Sequence, residues 1–299
     1  MRARLLLPLV VLALAAAACG GDADEPPAQP PVTEKADLGV ALPEAVQSRG
    51  VLAVGVKCDY PPFGYIDEAG ENAGFEIDIA RRLAGYAFGD EGKVELTCVT
   101  GANRVPFLTT NRIDLIMATM NYTPERAQTI DFTSPYFAGG VKMLVPDNSP
   151  IGGWDDLDGR SVITIKGSTA SLWLAECRPE VEQVPFEQTS EALTALRQER
   201  ADAFAQDDTL LVDLAKKTSG TKVVGEVRAD SPWGMGVRKG DAEMLAWVDA
   251  AVEKMREGDE FWAAFTGAVT DEAVQQEFAQ VLPRPDNELS YPTGPIIEC

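Results

Sequence analysis

The sequence predicts an α/β protein built as two similar lobes. Three observations carry this expectation. Apolar, strand-like runs alternate with segments of helical period along most of the chain. The alternation occurs in two rounds, and Arg112-Ile113-Asp114 in the first is echoed by Arg200-Ala201-Asp202 in the second, each following a helix and opening a strand. Residues 136–141 and 230–234 are extended segments marked by proline and glycine, which read as two crossings between the lobes.

In the first round, residues 51–57 (VLAVGVK) form an apolar strand. Residues 75–88 are helical, with Ile77, Ile79, Ala80, Leu83 and Ala84 on one broad face. A strand over 94–99 and a short helix over 103–110 follow. Residues 113–119 (IDLIMAT) are a near-continuous apolar run, as buried parallel strands are. The second round places strands over 161–166, 181–186, 201–206 and 222–227, and helices over 168–177, 190–199 and 208–217. The helical stretch DAEMLAWVDAAVEKMREGDEFWAAF comes next. A helix over 271–282 precedes a Pro-rich tail. Lobe 1 is therefore discontinuous, residues 38–140 plus 233–282. Lobe 2 is 141–232, and 283–299 is the tail.

The N-terminal residues read differently. MRARLLLPLVVLALAAAAC has a two-arginine start, a short apolar run and small residues before Cys19. This is the pattern of a secretory signal over 1–18, too short for a membrane span. A cysteine in that position also resembles a lipobox, with Ala16 where leucine is usual, so Cys19 is expected to carry lipid. The rival is ordinary cleavage and a free secreted protein. Residues 19–37 are Pro-rich and acidic without aromatics, so they should form a disordered tether. The globular body would then sit at the extracytoplasmic face of the cell membrane.

The chain of 299 residues carries a net charge of −21 and no histidine. Nucleic acid is excluded as a natural partner. So are Ser-His and Cys-His catalysis and any zinc site using imidazole. After Cys19, four cysteines remain: Cys58, Cys98, Cys177 and Cys299. An exported chain with an even set suggests disulfides. Cys58 and Cys98 each end a strand-like run, so neighbouring strands would pair them. Cys177 and Cys299 would then clip the tail.

In open α/β folds ligands bind at the carboxyl ends of parallel strands, here facing a cleft between lobes. Lys57 and Tyr60 follow the first strand. Thr119 and Asn121 follow IDLIMAT, with Arg126 in the first turn of a helix capped by Thr123 and Pro124. A cation there opposes the helix dipole unless something negative is bound nearby. Thr169 opens a helix in lobe 2, and Asp207 ends a strand. One lobe thus offers a cation and the other a carboxylate. A free α-amino acid complements both: Arg126 would take its carboxylate in a fork, Asp207 its ammonium, and Tyr60 its aliphatic part. Each residue also has an ordinary structural role open to it, as a cap or a solvated strand end.

The blocks VGVKCDYPPFGY, GFEIDIARRLA, ANRVPFLTTNRIDLIMATMNYTPERAQTIDFTSPYF, DDLDGRSVITIKGSTAS, ADAFAQDDTLL and WGMGVRKGD resemble, in order, the polar amino-acid solute-binding proteins of ABC importers, family 3. The resemblance implies a two-lobed, type II periplasmic-binding-protein-like fold with the ligand in the interlobe cleft. It implies a receptor that closes on an amino acid and delivers it to an ABC permease, as a monomer and without cofactor or metal. It carries over Arg126 to the α-carboxylate, Asp207 to the α-amino group, and Thr119, Asn121 and Thr169 to further contacts. Arg104 matches an arginine that contacts the side-chain carboxylate in similar aspartate/glutamate receptors. Lys57 stands where some glutamine receptors carry an acid. Two cations favour an acidic ligand, glutamate or aspartate, over a neutral one. Asn121 replaces the usual threonine, and Trp233 the usual tyrosine. The alternatives are a glutamine receptor, a ligand-sensing subunit, or a dehydratase acting on amino-acid-like acids with Glu76, Asp78 or Glu125 as base. The net negative charge does not oppose an anionic ligand, because it is screened beyond about 8 Å at physiological salt.

Overall fold

The computed structural model describes residues 30–294, 296–297 and 299, with Ser231 by its backbone alone. The expected signal and the lipidated Cys19 lie outside the described residues.

Lobe 1 opens with α1 (Glu44–Arg49), β1 (Leu52–Val56), a small antiparallel sheet of β2 (Asp59–Tyr60), β3 (Gly64–Ile66) and β4 (Asn72–Ala73), and then α2 (Phe75–Phe88). It continues with β5 (Val94–Cys98), α3 (Arg104–Thr109), β6 (Leu115–Met117), α4 (Pro124–Thr129) and β7 (Ile130–Pro146). Lobe 2 holds β8 (Ser161–Ile165), α5 (Thr169–Cys177), β9 (Glu182–Phe186), α6 (Thr189–Arg197), β10 (Ala203–Asp207) and α7 (Asp208–Lys217). Then β11 (Thr221–Arg238) returns to lobe 1, where α8 (Ala242–Glu257), α9 (Glu260–Ala268) and α10 (Glu272–Phe278) complete it.

The helix α2 shows why these segments fold as they do. Its apolar positions recur at helical spacing, and Ile77, Ile79, Ala80, Leu83 and Ala84 are all buried. It stops at Gly89, which adopts the left-handed conformation (φ 71°) and returns its N–H to Gly85 O. The helical stretch expected near the C-terminus divides into two helices, α8 and α9, because the chain turns at Gly258 and Asp259.

The two lobes do not have separate sheets. One eight-stranded sheet runs β5-β1-β6-β11-β7-β10-β8-β9. Its outer pairs are parallel, β1 with β5 and β6, and β8 with β9 and β10. The two crossings are long strands, β7 and β11, paired antiparallel to each other through both lobes. Their register breaks between Gly139 and Val141 on β7 and between Arg228 and Ser231 on β11, and β10 pairs with β7 from Val141 onward. Beside this junction Phe63, Phe75, Phe137 and Trp233 pack as an aromatic cluster, with Trp233 stacked on Phe137 at 4.5 Å. All four are fully buried, so the hinge strands spring from a rigid base.

The disordered-tether expectation needs correction over residues 30–37. That stretch lies along lobe 1. Arg82 donates to Pro30 O at 2.7 Å, Val32 N–H to Glu91 Oε1 at 3.0 Å, and Ala36 N–H to Tyr86 O at 3.1 Å. Val32 and Ala36 pack on the core. Two apolar residues four apart suffice to hold a polar strap when its backbone also finds partners.

Cys58 is bonded to Cys98 and Cys177 to Cys299, with Cα–Cα distances of 5.5 and 5.1 Å. The tail passes the hinge on its way to lobe 2. Tyr291 packs on Tyr122 at 4.6 Å and donates to Thr133 O at 2.6 Å.

Candidate functional site

The strand ends meet where the lobes face each other. Lys57, Tyr60, Gly101, Arg104, Thr119, Asn121, Ile165, Ser168, Thr169, Gln206 and Asp207 line one cavity, and Arg126 closes its edge. All eight residues named from the sequence as ligand contacts are therefore together. Ser168, whose N–H the sequence placed at the N-terminus of a lobe 2 helix, joins them, and so do Gly101, Ile165 and Gln206, which were not singled out.

Arg126 lies in the first turn of α4, whose N-cap Thr123 accepts the Arg126 N–H at 3.2 Å. Its guanidinium folds back to Asn121 O (2.7 Å) and reaches across to Gly167 O (2.9 Å) and Thr169 Oγ1 (3.4 Å) in lobe 2. Carbonyl oxygens thus answer the unfavourable helix dipole. The residue is half-buried, but its guanidinium is enclosed. Burial, reinforced by the nearby Arg104 charge, pulls its pKa down to about 9, and it remains a cation at neutral pH.

Asp207 ends β10 and precedes α7. Tyr60 donates to its Oδ2 at 2.6 Å across the lobes. Its Oδ1 is buried with no hydrogen-bond partner among the described residues. Burial raises its pKa to about 7, against the lowering effects of the Tyr60 hydrogen bond and the two arginines. Such a carboxylate is poised to receive a cation.

Thr119 is a threonine in the left-handed region (φ 45°), a conformation that costs on the order of 1 kcal/mol or more. Both sides of it are held. Glu76 Oε1 accepts its N–H at 2.7 Å, and Arg104 donates to Ala118 O at 2.5 Å and to Thr119 O at 3.4 Å. Glu76 also accepts from Tyr136 Oη. As a base at the ligand, the role the dehydratase alternative gives it, Glu76 is misplaced: it is fully buried beneath Thr119, while Asp78 and Glu125 are exposed. The sequence did carry a signal for Glu76: it lies on the stripe with Ile79, Ala80 and Leu83, an acid on an apolar face. Burial raises its pKa to about 7, although Tyr136 and Thr119 hydrogen bonds oppose that shift.

The two cations expected to greet an acidic side chain are engaged. Lys57 Nζ lies 2.9 Å from Asp59 Oδ1. Arg104 serves backbone carbonyls, and no carboxylate of the described residues is within 4.0 Å of it. Asn121 Oδ1 accepts the Thr169 hydroxyl at 2.9 Å, a further link across the lobes. The closed lobes leave about 20 Å³ in the cavity, room for about one water. A larger ligand enters only if the lobes separate about β7 and β11.

A polar cleft between two α/β lobes joined by two long strands defines a two-lobed solute receptor of the type II periplasmic-binding-protein-like fold. The chain belongs to the bacterial extracellular solute-binding proteins, family 3, and the match spans residues 52–265. It is 41% identical over 198 residues to the glutamine-binding protein of Geobacillus stearothermophilus, covering 66% of this chain and 76% of that one. It is 36% identical over 214 residues to the ABC transporter glutamine-binding protein GlnH of Bacillus subtilis (strain 168), covering 71% and 78%. Among solved structures it is similar to the cysteine-binding protein of Campylobacter jejuni, with TM-score 0.74, 35% identity and coverage of 76% and 92%. Among the described residues no helix is long and apolar enough to cross a membrane.

Proposed function

We propose that this chain is the extracytoplasmic substrate-binding lipoprotein of an ABC amino-acid importer, with a neutral polar amino acid, glutamine foremost, as ligand. The observation that carries the reading is the pairing of an enclosed Arg126 with the partnerless Asp207 Oδ1 across one cleft. The α-carboxylate takes the Arg126 fork in place of carbonyl oxygens, and the α-ammonium takes Asp207. Contacts to both lobes favour closure, and the closed form is what a permease recognises. The acidic ligand expected above is set aside. Lys57 is neutralised by Asp59 and Arg104 is occupied by carbonyls, and the relatives named above take neutral ligands by their names. Cys19 serves as the lipid anchor, and a Cys19→Ala protein released from membranes supports that part.

On this reading the protein binds without turnover: Asp207 is taken by the ligand ammonium, and Glu76, sealed behind Thr119, offers no second carboxylate to the cleft. The test is a thermal-shift panel of the protein, unfolded and refolded to strip carried ligand, against single amino acids. A ligand at about 100 times its Kd stabilises by about 2.7 kcal/mol, a shift of several degrees. A shift with glutamine above glutamate supports the reading. No shift with any amino acid overturns it.

A further inference from the structure

We propose that Asp59 determines which side chain the cleft accepts, by cancelling the charge of Lys57 and so selecting a neutral over an acidic amino acid. The inference rests on the reading of the cleft as an amino-acid site, and names the residue that sets its specificity.

Lys57 follows β1 and Asp59 opens β2, with a bend at Cys58 between them, and their side chains meet. Lys57 lines the cavity, whereas Asp59 stands behind it, outside the lining. The pair is close, 2.9 Å, and largely desolvated, with 5% and 14% of the side chains exposed. An ion pair out of water holds its partners far more firmly than one on the surface. Asp59 has a second engagement. Its Oδ2 accepts the N–H of Thr189, the first residue of α6 in lobe 2, at 2.7 Å. The positive end of that helix favours a carboxylate there. One carboxylate thus fixes a lysine in lobe 1 and grips a helix end in lobe 2.

For a ligand the consequence is a matter of charge. A side-chain carboxylate brought beside Lys57 meets a neutral pair and loses its hydration without gaining that cation, while Arg104, the other cation of this part of the lining, already donates to the Ala118 and Thr119 carbonyls. A side-chain amide has no charge to desolvate and can still hydrogen-bond. Lysine in the pocket would by itself argue for an acid; the residue two positions on reverses the argument.

Three proteins test this by calorimetry with glutamine and glutamate: the parent, Asp59→Asn, and the double variant Lys57→Met/Asp59→Asn. The introduced asparagine keeps an oxygen for the Thr189 N–H, so the first change removes charge while retaining the cross-lobe bond. The expected result is a rise of about tenfold or more in affinity for glutamate relative to glutamine in Asp59→Asn. The double variant should bring the ratio back toward that of the parent. An unmoved ratio in Asp59→Asn overturns the proposal. So does a moved ratio that the double variant fails to reverse, because Lys57 would not then be the mediator. A parent that prefers glutamate sinks the glutamine reading and with it the selection of a neutral side chain, whereas an unmoved ratio in a parent that prefers glutamine sinks the proposal alone.

Discussion

Acidification should weaken ligand binding through one residue. Burial raises Asp207 to about pKa 7, and the proposed ligand ammonium needs it ionised. From that value about nine-tenths of Asp207 is ionised at pH 8 and about one-hundredth at pH 5. The affinity available scales with the competent fraction, so the apparent Kd should rise by about 100-fold between pH 8 and pH 5. The ligand's own carboxylate and ammonium do not titrate in that window. Linkage gives the same sign from the other side: binding expels the proton from Asp207, and at pH 6 nearly one proton per ligand should be released. Calorimetry at pH 8, 7, 6 and 5, in buffers of different ionisation heat, reads both the Kd and the proton count. Asp207→Asn should bind weakly at all four values with no slope. A parent Kd that is constant from pH 8 to 5, or a slope that survives in Asp207→Asn, would refute the assignment of Asp207 to the ammonium.

Three further outcomes are expected. Arg126→Ala should cost at least about 100-fold in affinity for every amino acid that binds, since two charge-assisted hydrogen bonds are lost; near-normal binding by calorimetry would remove Arg126 from the site. Gly101→Ala should weaken binding by about tenfold or more with the melting temperature nearly unchanged, because a Cβ there would lie 2.5 Å from Lys166 O of the other lobe and prop the cleft open; small-angle scattering that still shows full closure with ligand would contradict this. Glu76→Gln should stabilise the protein at pH 8 relative to pH 5. A carboxyl raised from 4.5 to about 7 contributes stability below pH 4.5 that is lost as pH rises through 7, about 3 kcal/mol in all. Denaturation of parent and variant at the two pH values gives that difference, and an equal gap at both would exclude a raised Glu76.

The local part of this fold could be read from the chain, and the long-range part could not. Helix α2 has its expected bounds because its apolar period and its terminal Gly89 are local signals. The gathering of Lys57, Thr119, Thr169 and Asp207 follows from a rule about strand ends, which needs only the order of elements. The single sheet depends instead on β7 and β11 finding each other across the whole of lobe 2, and no short pattern records such a pairing. The charge state of the cleft escapes the sequence for a related reason. Lys57 and Arg104 count as cations there, but what a cation can do depends on its partners: Asp59 for one, the Ala118 and Thr119 carbonyls for the other. Asp59 is only two residues from Lys57, and an acid that near to a cation is a signal that could have been used. The carbonyls could not have been foreseen, because they follow from the left-handed turn at Thr119.

The proposed receptor function requires one amino acid to bridge Arg126 and Asp207. The most direct test is a calorimetric titration of the refolded protein with glutamine and with two analogues, one lacking the α-ammonium and one with the α-carboxylate amidated. Glutamine should bind tightly, with each analogue weaker by about 100-fold or more. Binding of either analogue as tight as that of glutamine would contradict the bridge.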